Sequence, residues 1–259
     1  MMTTTSNVSK AFLETAASGQ AVQAALSESV RAAELDEIPR IVHFCFLDWR
    51  NMKDPYLSWV MKWKDILGSE WVFVNWTPET TEPIHPLEIW WLENDRRAFY
   101  ADWQRIHKVT EYGGFYLDCD IDLHKTLEPL RDLDYCFDTE AVTSFPEFGI
   151  FGAKKGNRFM KTLRDAYDSA SPEDYSADAT RFLIGRFCKR ALLLSGVTMS
   201  FSAETVEELR ENMKSTSKRI MWCMNSTQLS NPRDRIDRSI VPYNADAYST
   251  HCFTNSWNY

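Results

Sequence analysis

Three aspartates stand at alternate positions in Tyr112-Gly113-Gly114-Phe115-Tyr116-Leu117-Asp118-Cys119-Asp120-Ile121-Asp122-Leu123. Side chains of an extended strand alternate between faces, so Phe115, Leu117, Cys119, Ile121 and Leu123 share an apolar face. Tyr116, Asp118, Asp120 and Asp122 share the other, with consecutive members roughly 6.5–7 Å apart at Cα. Carboxylates so placed repel one another, and a partly desolvated pair keeps a proton or recruits a cation. An all-oxygen setting suits Mg²⁺ or Mn²⁺, with substrate phosphates often completing the shell. The expectation is a metal site at a strand end that holds a phosphorylated ligand. A solvated acidic strand face is the alternative, disfavoured by the preceding Tyr112-Gly113-Gly114 and by the apolar alternation.

The same aspartates mimic the first three positions of an EF-hand calcium loop. That loop needs glycine sixth and glutamate twelfth, and Leu123 and Pro129 stand there instead. No GxxxxGK[ST] phosphate loop is present, and no Ser-His-Asp or Cys-His arrangement is evident. His43, His85, His107 and His124 show no ligand spacing and read as structural.

The elements that must position these carboxylates are legible around them. Ile41–Leu47 is a short run dominated by β-branched and aromatic residues, and it reads as a buried strand. A helix is expected over 55–67, with Trp59, Trp63 and Leu67 on one face, then a strand over 71–76 and a proline-rich loop over 78–86. A helix in two pieces over 87–112 stops at Gly113-Gly114, and 115–123 reads as one strand. Further on, 148–153 reads as a strand, 157–167, 179–194 and 203–214 as helices, and 239–259 as an aromatic loop. Strand–helix–strand alternation predicts an α/β domain over 37–259 with parallel winding. Apolar residues at helical spacing from Phe12 to Ala33, interrupted near Gly19, predict an N-terminal helical extension over 1–36.

The chain has 259 residues, enough to bury one large α/β core. Its 29 basic and 37 acidic residues give a net charge of −8, which makes it a poor nucleic-acid binder, since phosphate contacts need a basic surface. The six cysteines show neither CxxC spacing nor a disulfide framework and read as reduced, buried thiols. There is no run of about 18 apolar residues and so no expected transmembrane segment. The start, MMTTTSNVSK, lacks the features of a secretory signal. The expected setting is cytoplasmic, or that of an effector delivered without a conventional signal peptide.

With these residues in view, the chain resembles the DXD-containing retaining glycosyltransferases that include fungal outer-chain mannosyltransferases, capsular-polysaccharide transferases and clostridial toxin glucosyltransferase domains. The resemblance is carried by Ile38-Pro39-Arg40-Ile41-Val42-His43, by Asp102-Trp103-Gln104-Arg105, by Tyr112 to Asp120, by Gly149 to Gly156 and by His251 to Trp257, in that order. It covers roughly 38–259 and is specific because several motifs occur in sequence. It implies a GT-A type, Rossmann-like nucleotide-sugar-binding domain, an Mn²⁺ or Mg²⁺ cofactor, a UDP- or GDP-sugar donor and an acceptor that is a glycan, a lipid or a protein.

Carried over residue by residue, the resemblance implies metal ligation by Asp118, Asp120, His251 and Ser256. Asp118 also touches the donor, and Asp102 and Arg105 grip the sugar, their own ion pair being the alternative. Tyr116, Asn255, Ser256 and Trp257 line the donor, with Trp257 as a lid. Phe46 stands where the family stacks a tryptophan on the base, with a plain core role as the alternative, and Leu47-Asp48 replace the usual glycine pair. The departures at Phe46-Leu47-Asp48 and Cys252-Phe253 keep open a non-catalytic sugar-nucleotide or protein-binding module. A nucleotidyl- or phosphotransferase is the other rival.

Overall fold

In a computed structural model, the described residues are 3–139, 146–169, 188, 191–194, 198–203, 205–215, 220–224, 229–232 and 244–252. Two helices, α1 (Thr3–Ala16) and α2 (Gly19–Leu35), precede β1 (Ile41–Phe44), α3 (Tyr56–Leu67) and β2 (Val72–Asn75). Then come α4 (Pro86–Glu93), α5 (Arg97–Tyr112), β3 (Gly114–Leu117), β4 (Ile121–Leu123), β5 (Tyr135–Thr139), β6 (Pro146–Ala153) and α6 (Arg158–Asp168). The C-terminal part holds β7 (Thr198–Ala203), α7 (Val206–Ser215), β8 (Ile220–Met224), β9 (Ser230–Pro232) and β10 (Ser249–His251).

The central sheet runs β2-β1-β3-β6-β5-β8-β7. β1 is parallel to β2 and β3, and β8 is parallel to β5 and β7, while β6 runs antiparallel between β3 and β5. Parallel winding is thus interrupted at one strand. β1 and β3 are buried throughout, as a strand covered on both faces must be. On one side α3 buries Tyr56, Val60, Trp63 and Leu67, a stripe at helical spacing, against this layer. Trp59 lies off that stripe and is half-buried. Each fully buried Val, Ile, Leu or Phe here contributes about 1.5–3 kcal/mol over an exposed one.

The N-terminal helices pack on the same sheet. Phe12 meets Phe73 edge to face at 5.2 Å, and Leu13 and Ala16 join the main core. The small residues Ala21 and Ala25 let α2 approach Ile41, Val74, Trp76 and Tyr112. His43, fully buried on β1, sits beneath this layer with Nε2–H donating to the Gly113 carbonyl at 2.7 Å and Nδ1 accepting the Trp76 indole N–H at 3.0 Å.

The strand expected over 115–123 is broken, and the break matters. β3 ends at Leu117 and β4 begins at Ile121 in a second sheet, ordered β4-β10-β9. Between them the Asp118 N–H donates to the Gly149 carbonyl at 2.7 Å, while the Ile121 N–H returns to the Asp118 carbonyl at 2.9 Å. This turn replaces the ladder a continuous strand would make. β10 was expected as loop and is a strand, antiparallel to β4 with His251 opposite Ile121. Most of the helix expected over 179–194 lies outside the described residues; Cys188 and 191–194 are helical. Among the described residues, no helix is long and apolar enough to cross a membrane.

Candidate metal and donor site

Asp118 leaves the end of β3, Asp120 stands in the turn after it, and His251 comes from β10 alongside. Ligand-capable atoms of these three buried residues all lie within 4.8 Å of one another. The turn creates this convergence: on a continuous strand the two carboxylates would point the same way without meeting a third group. Asp122, the third aspartate of the alternation, faces elsewhere, and its carboxylate accepts from Lys62 Nζ at 2.6 Å.

Asp118 is held by side chains from α5 and from its own strand. Arg105 donates to it twice, Nη2 to Oδ1 at 3.0 Å and Nη1 to Oδ2 at 3.4 Å, and the Tyr116 hydroxyl adds a third bond at 3.2 Å. Arg105 Nη1 also donates to the Phe148 carbonyl at 2.8 Å, and Nη2 lies 3.2 Å from Asp102 on the same helical face. Its guanidinium rests 4.6 Å over the Tyr116 ring. The intrahelical pair with Asp102 is therefore present, and it is one arm of a larger clamp. Tyr116 is fully buried and stacks on Phe151, which makes it a support for Asp118.

Electrostatics follow from this burial. Desolvation pushes the Asp118 carboxyl up to about 7, against the pull of Arg105 and with the push of Asp120. Burial also raises Asp102, and Arg105 opposes the rise. For His251, burial disfavours the charged ring, yet the Asp120 hydrogen bond and the charges of Asp120, Glu147 and Asp118 outweigh it and raise the group to about 9. Two carboxylates and a charged imidazole this close form an arrangement that a dication can replace, its charge taking over from the ring proton. The donor set of two oxygens and one nitrogen fits a divalent metal ion.

The remaining expected residues fall at different distances from this centre. Phe46 follows β1 half-buried, tilted against Tyr56 at 5.7 Å, and packs on the main core. Asn255, Ser256 and Trp257 lie outside the described residues. The other histidines have structural partners: besides His43, His85 caps α4, His107 pairs with Asp168 at 2.7 Å, and His124 meets Thr250 at 2.9 Å. Cys45, Cys119, Cys136 and Cys188 are buried thiols and Cys252 is a half-buried one, none of them in a disulfide.

Two residues near the site, Asn75 and Glu147, were not legible beforehand, whereas Gly149 opens one of the motifs that carry the resemblance. Asn75 clamps the Phe46 backbone, its Oδ1 accepting the N–H at 2.8 Å and its Nδ2 donating to the carbonyl at 3.1 Å. Glu147 and Gly149 on β6 flank His251. A Cβ at Gly149 would lie 2.6 Å from His251 Cε1, so only glycine fits under the ring. Polar residues at the ends of two different strands are a weak local signal. Their partners come from far along the chain.

No family model and no curated protein matches this chain. Among solved structures it is similar to the PaToxG glycosyltransferase, with a TM-score of 0.50 at 11% identity over 75% of this chain and 82% of that one. A glycosyltransferase involved in the glycosylation of the major capsid of PBCV-1 aligns with a TM-score of 0.40 at 16% identity, over 83% and 94% respectively, too distantly to bear on the fold. At such identities the first likeness speaks for the fold. That fold is the expected one, a mixed α/β architecture with a parallel-rich central sheet, GT-A-like in kind.

Proposed function

We propose that this chain is a metal-dependent glycosyltransferase that moves a sugar from a UDP- or GDP-sugar to a hydroxyl or protein side-chain acceptor, with retention. The observation that carries this reading is the convergence of Asp118, Asp120 and His251 within 4.8 Å, beyond the carboxyl end of β3. In open α/β sheets ligands bind beyond the carboxyl ends of strands. The extension over 1–36 and the domain over 37–259 form the proposed division of the chain.

In this reading Asp118, Asp120, His251 and Ser256 hold Mn²⁺ in preference to Mg²⁺, because one ligand is a nitrogen. The bound cation supplies Lewis-acid stabilisation of the charge that develops on the departing diphosphate. The chain's own residues do the rest. Arg105 opposes the burial that raises the Asp118 carboxyl and holds it in register, and with Asp102 it presents polar atoms to the donor sugar. Phe46 stacks on the base, Tyr116 supports Asp118, Asn255 and Ser256 contact the donor, and Trp257 covers the diphosphate. Asp102, Arg105, Asp118 and Asp120 are the proposed catalytic set.

The test is Mn²⁺-dependent hydrolysis of a panel of UDP- and GDP-sugars. The reading predicts turnover of at least one donor, abolished by EDTA and by Asp120→Asn. Tight donor binding with no turnover would instead identify a non-catalytic sugar-nucleotide module.

A further inference from the structure

His251 reaches two carboxylates with its two ring nitrogens. Nε2 lies 3.3 Å from Asp120 Oδ1, and Nδ1 faces Glu147 Oε1 at 3.6 Å, an ion-pair separation just beyond hydrogen-bond length that a small turn of the ring would close. The same Glu147 oxygen accepts the Gly149 N–H at 2.6 Å, so its position is set by the backbone of its own strand. Gly149 lies between the two side chains: an added Cβ would fall 2.8 Å from Glu147 Oε1 and 2.8 Å from His251 Nδ1. Glu147, Gly149 and His251 thus form one packed unit beside the cation site. Glu147 itself is not one of the three residues whose ligand-capable atoms converge within 4.8 Å.

An imidazole ligates a metal through one neutral nitrogen, and the hydrogen bond made by the other nitrogen decides which one. A carboxylate in that outer position fixes ring orientation and tautomer. We propose that Glu147 is a positioning residue of the cation site, accepting Nδ1–H of His251 so that Nε2 is the ligating atom beside Asp120. This rests on the reading of that cluster as a metal site. It adds a residue that acts through His251 and does not touch the ion.

The experiment is Mn²⁺ binding with no sugar nucleotide present, followed by the electron paramagnetic resonance of the free ion. Wild type, Glu147→Ala, Glu147→Gln, His251→Ala and the double variant Glu147→Ala/His251→Ala are compared, each checked for folding by circular dichroism. Glu147→Ala should weaken Mn²⁺ about 10- to 100-fold, the usual loss on removing an outer partner. Glu147→Gln, whose amide oxygen still accepts from Nδ1–H, should restore most of the affinity. The double variant should bind no more weakly than His251→Ala alone, since both residues act through one ring.

Unchanged affinity in Glu147→Ala, or additive losses in the double variant, overturns the proposal while leaving the metal site standing. Failure of the wild type to bind Mn²⁺ overturns both. A second measurement needs no variant: ¹⁵N NMR of the Mg²⁺-loaded wild type should show the His251 proton on Nδ1. A proton on Nε2 overturns the proposal.

Discussion

Arg105 and Asp118 meet at two points, Nη2 to Oδ1 at 3.0 Å and Nη1 to Oδ2 at 3.4 Å, with both side chains buried. One comes from α5 and the other from the end of β3, so the contact ties the helix to the carboxyl edge of the sheet where the candidate site lies. Neither charge has water to fall back on, and each is tolerable because the other is present.

Removing Arg105 should therefore cost more than a surface arginine would. Arg105→Ala leaves the Asp118 carboxylate buried without its main partner, and a loss of about 3–5 kcal/mol is expected in urea unfolding. Arg105→Lys should recover only part of it, because an ammonium cannot reproduce the forked contact. A loss below about 1 kcal/mol for Arg105→Ala, the range of exposed pairs, would show that the clamp is not the support described.

Gly149→Ala tests the close approach of β6 to β10. Its Cβ would lie 2.6 Å from His251 Cε1, so the ring must move. Mn²⁺ affinity should fall by an order of magnitude or more, as for loss of an outer-shell contact. Wild-type Mn²⁺ affinity in this variant would mean that His251 is not held where a ligand must be.

Asp122→Asn separates the turn from the strand alternation. Its partner is Lys62 at 2.6 Å, on a pair that is partly exposed, so the expected stability loss is about 0–1 kcal/mol. Mn²⁺ binding should be unchanged. A large loss of Mn²⁺ affinity would restore the picture of three aspartates on one strand face.

Alternation singled out Asp118 and Asp120, which the fold brings together with His251, and Gly113-Gly114 ends α5 ahead of them as expected, since Gly113 adopts a φ of 70° that side chains resist. Period-two patterning cannot reveal a chain reversal between two sheets, however, because Leu117 and Ile121 are buried either way. The pairing of β10 with β4 joins segments about 130 residues apart, with a register that no local pattern encodes. His251 was singled out by family resemblance, and Glu147 had no such flag. β7 and β8 were missed for a related reason: strands of six and five residues carry little periodicity of their own.

His43 gives a pH prediction. Burial holds its pKa down to about 4, opposed by the Gly113 hydrogen bond and assisted by the charge of Lys108. A second proton would sit on Nδ1, facing the Trp76 indole N–H. Between pH 6.5 and about 4 the unfolded chain takes up a proton that the folded chain refuses, so this contribution is complete above pH 6.5 and is lost as pH falls toward 4. A shift of this size corresponds to about 3 kcal/mol. Urea unfolding of wild type and His43→Gln across this range should show a shallower slope in the variant. Parallel slopes would remove His43 as the cause.

The central claim is that Asp118, Asp120 and His251 are brought together to hold a dication against a diphosphate. The most direct measurement is the anomalous scattering from a crystal grown with Mn²⁺ and a nucleoside diphosphate. The account predicts a manganese peak bonded to these three side chains and to a phosphate oxygen. Ordered side chains with no peak between them would contradict it.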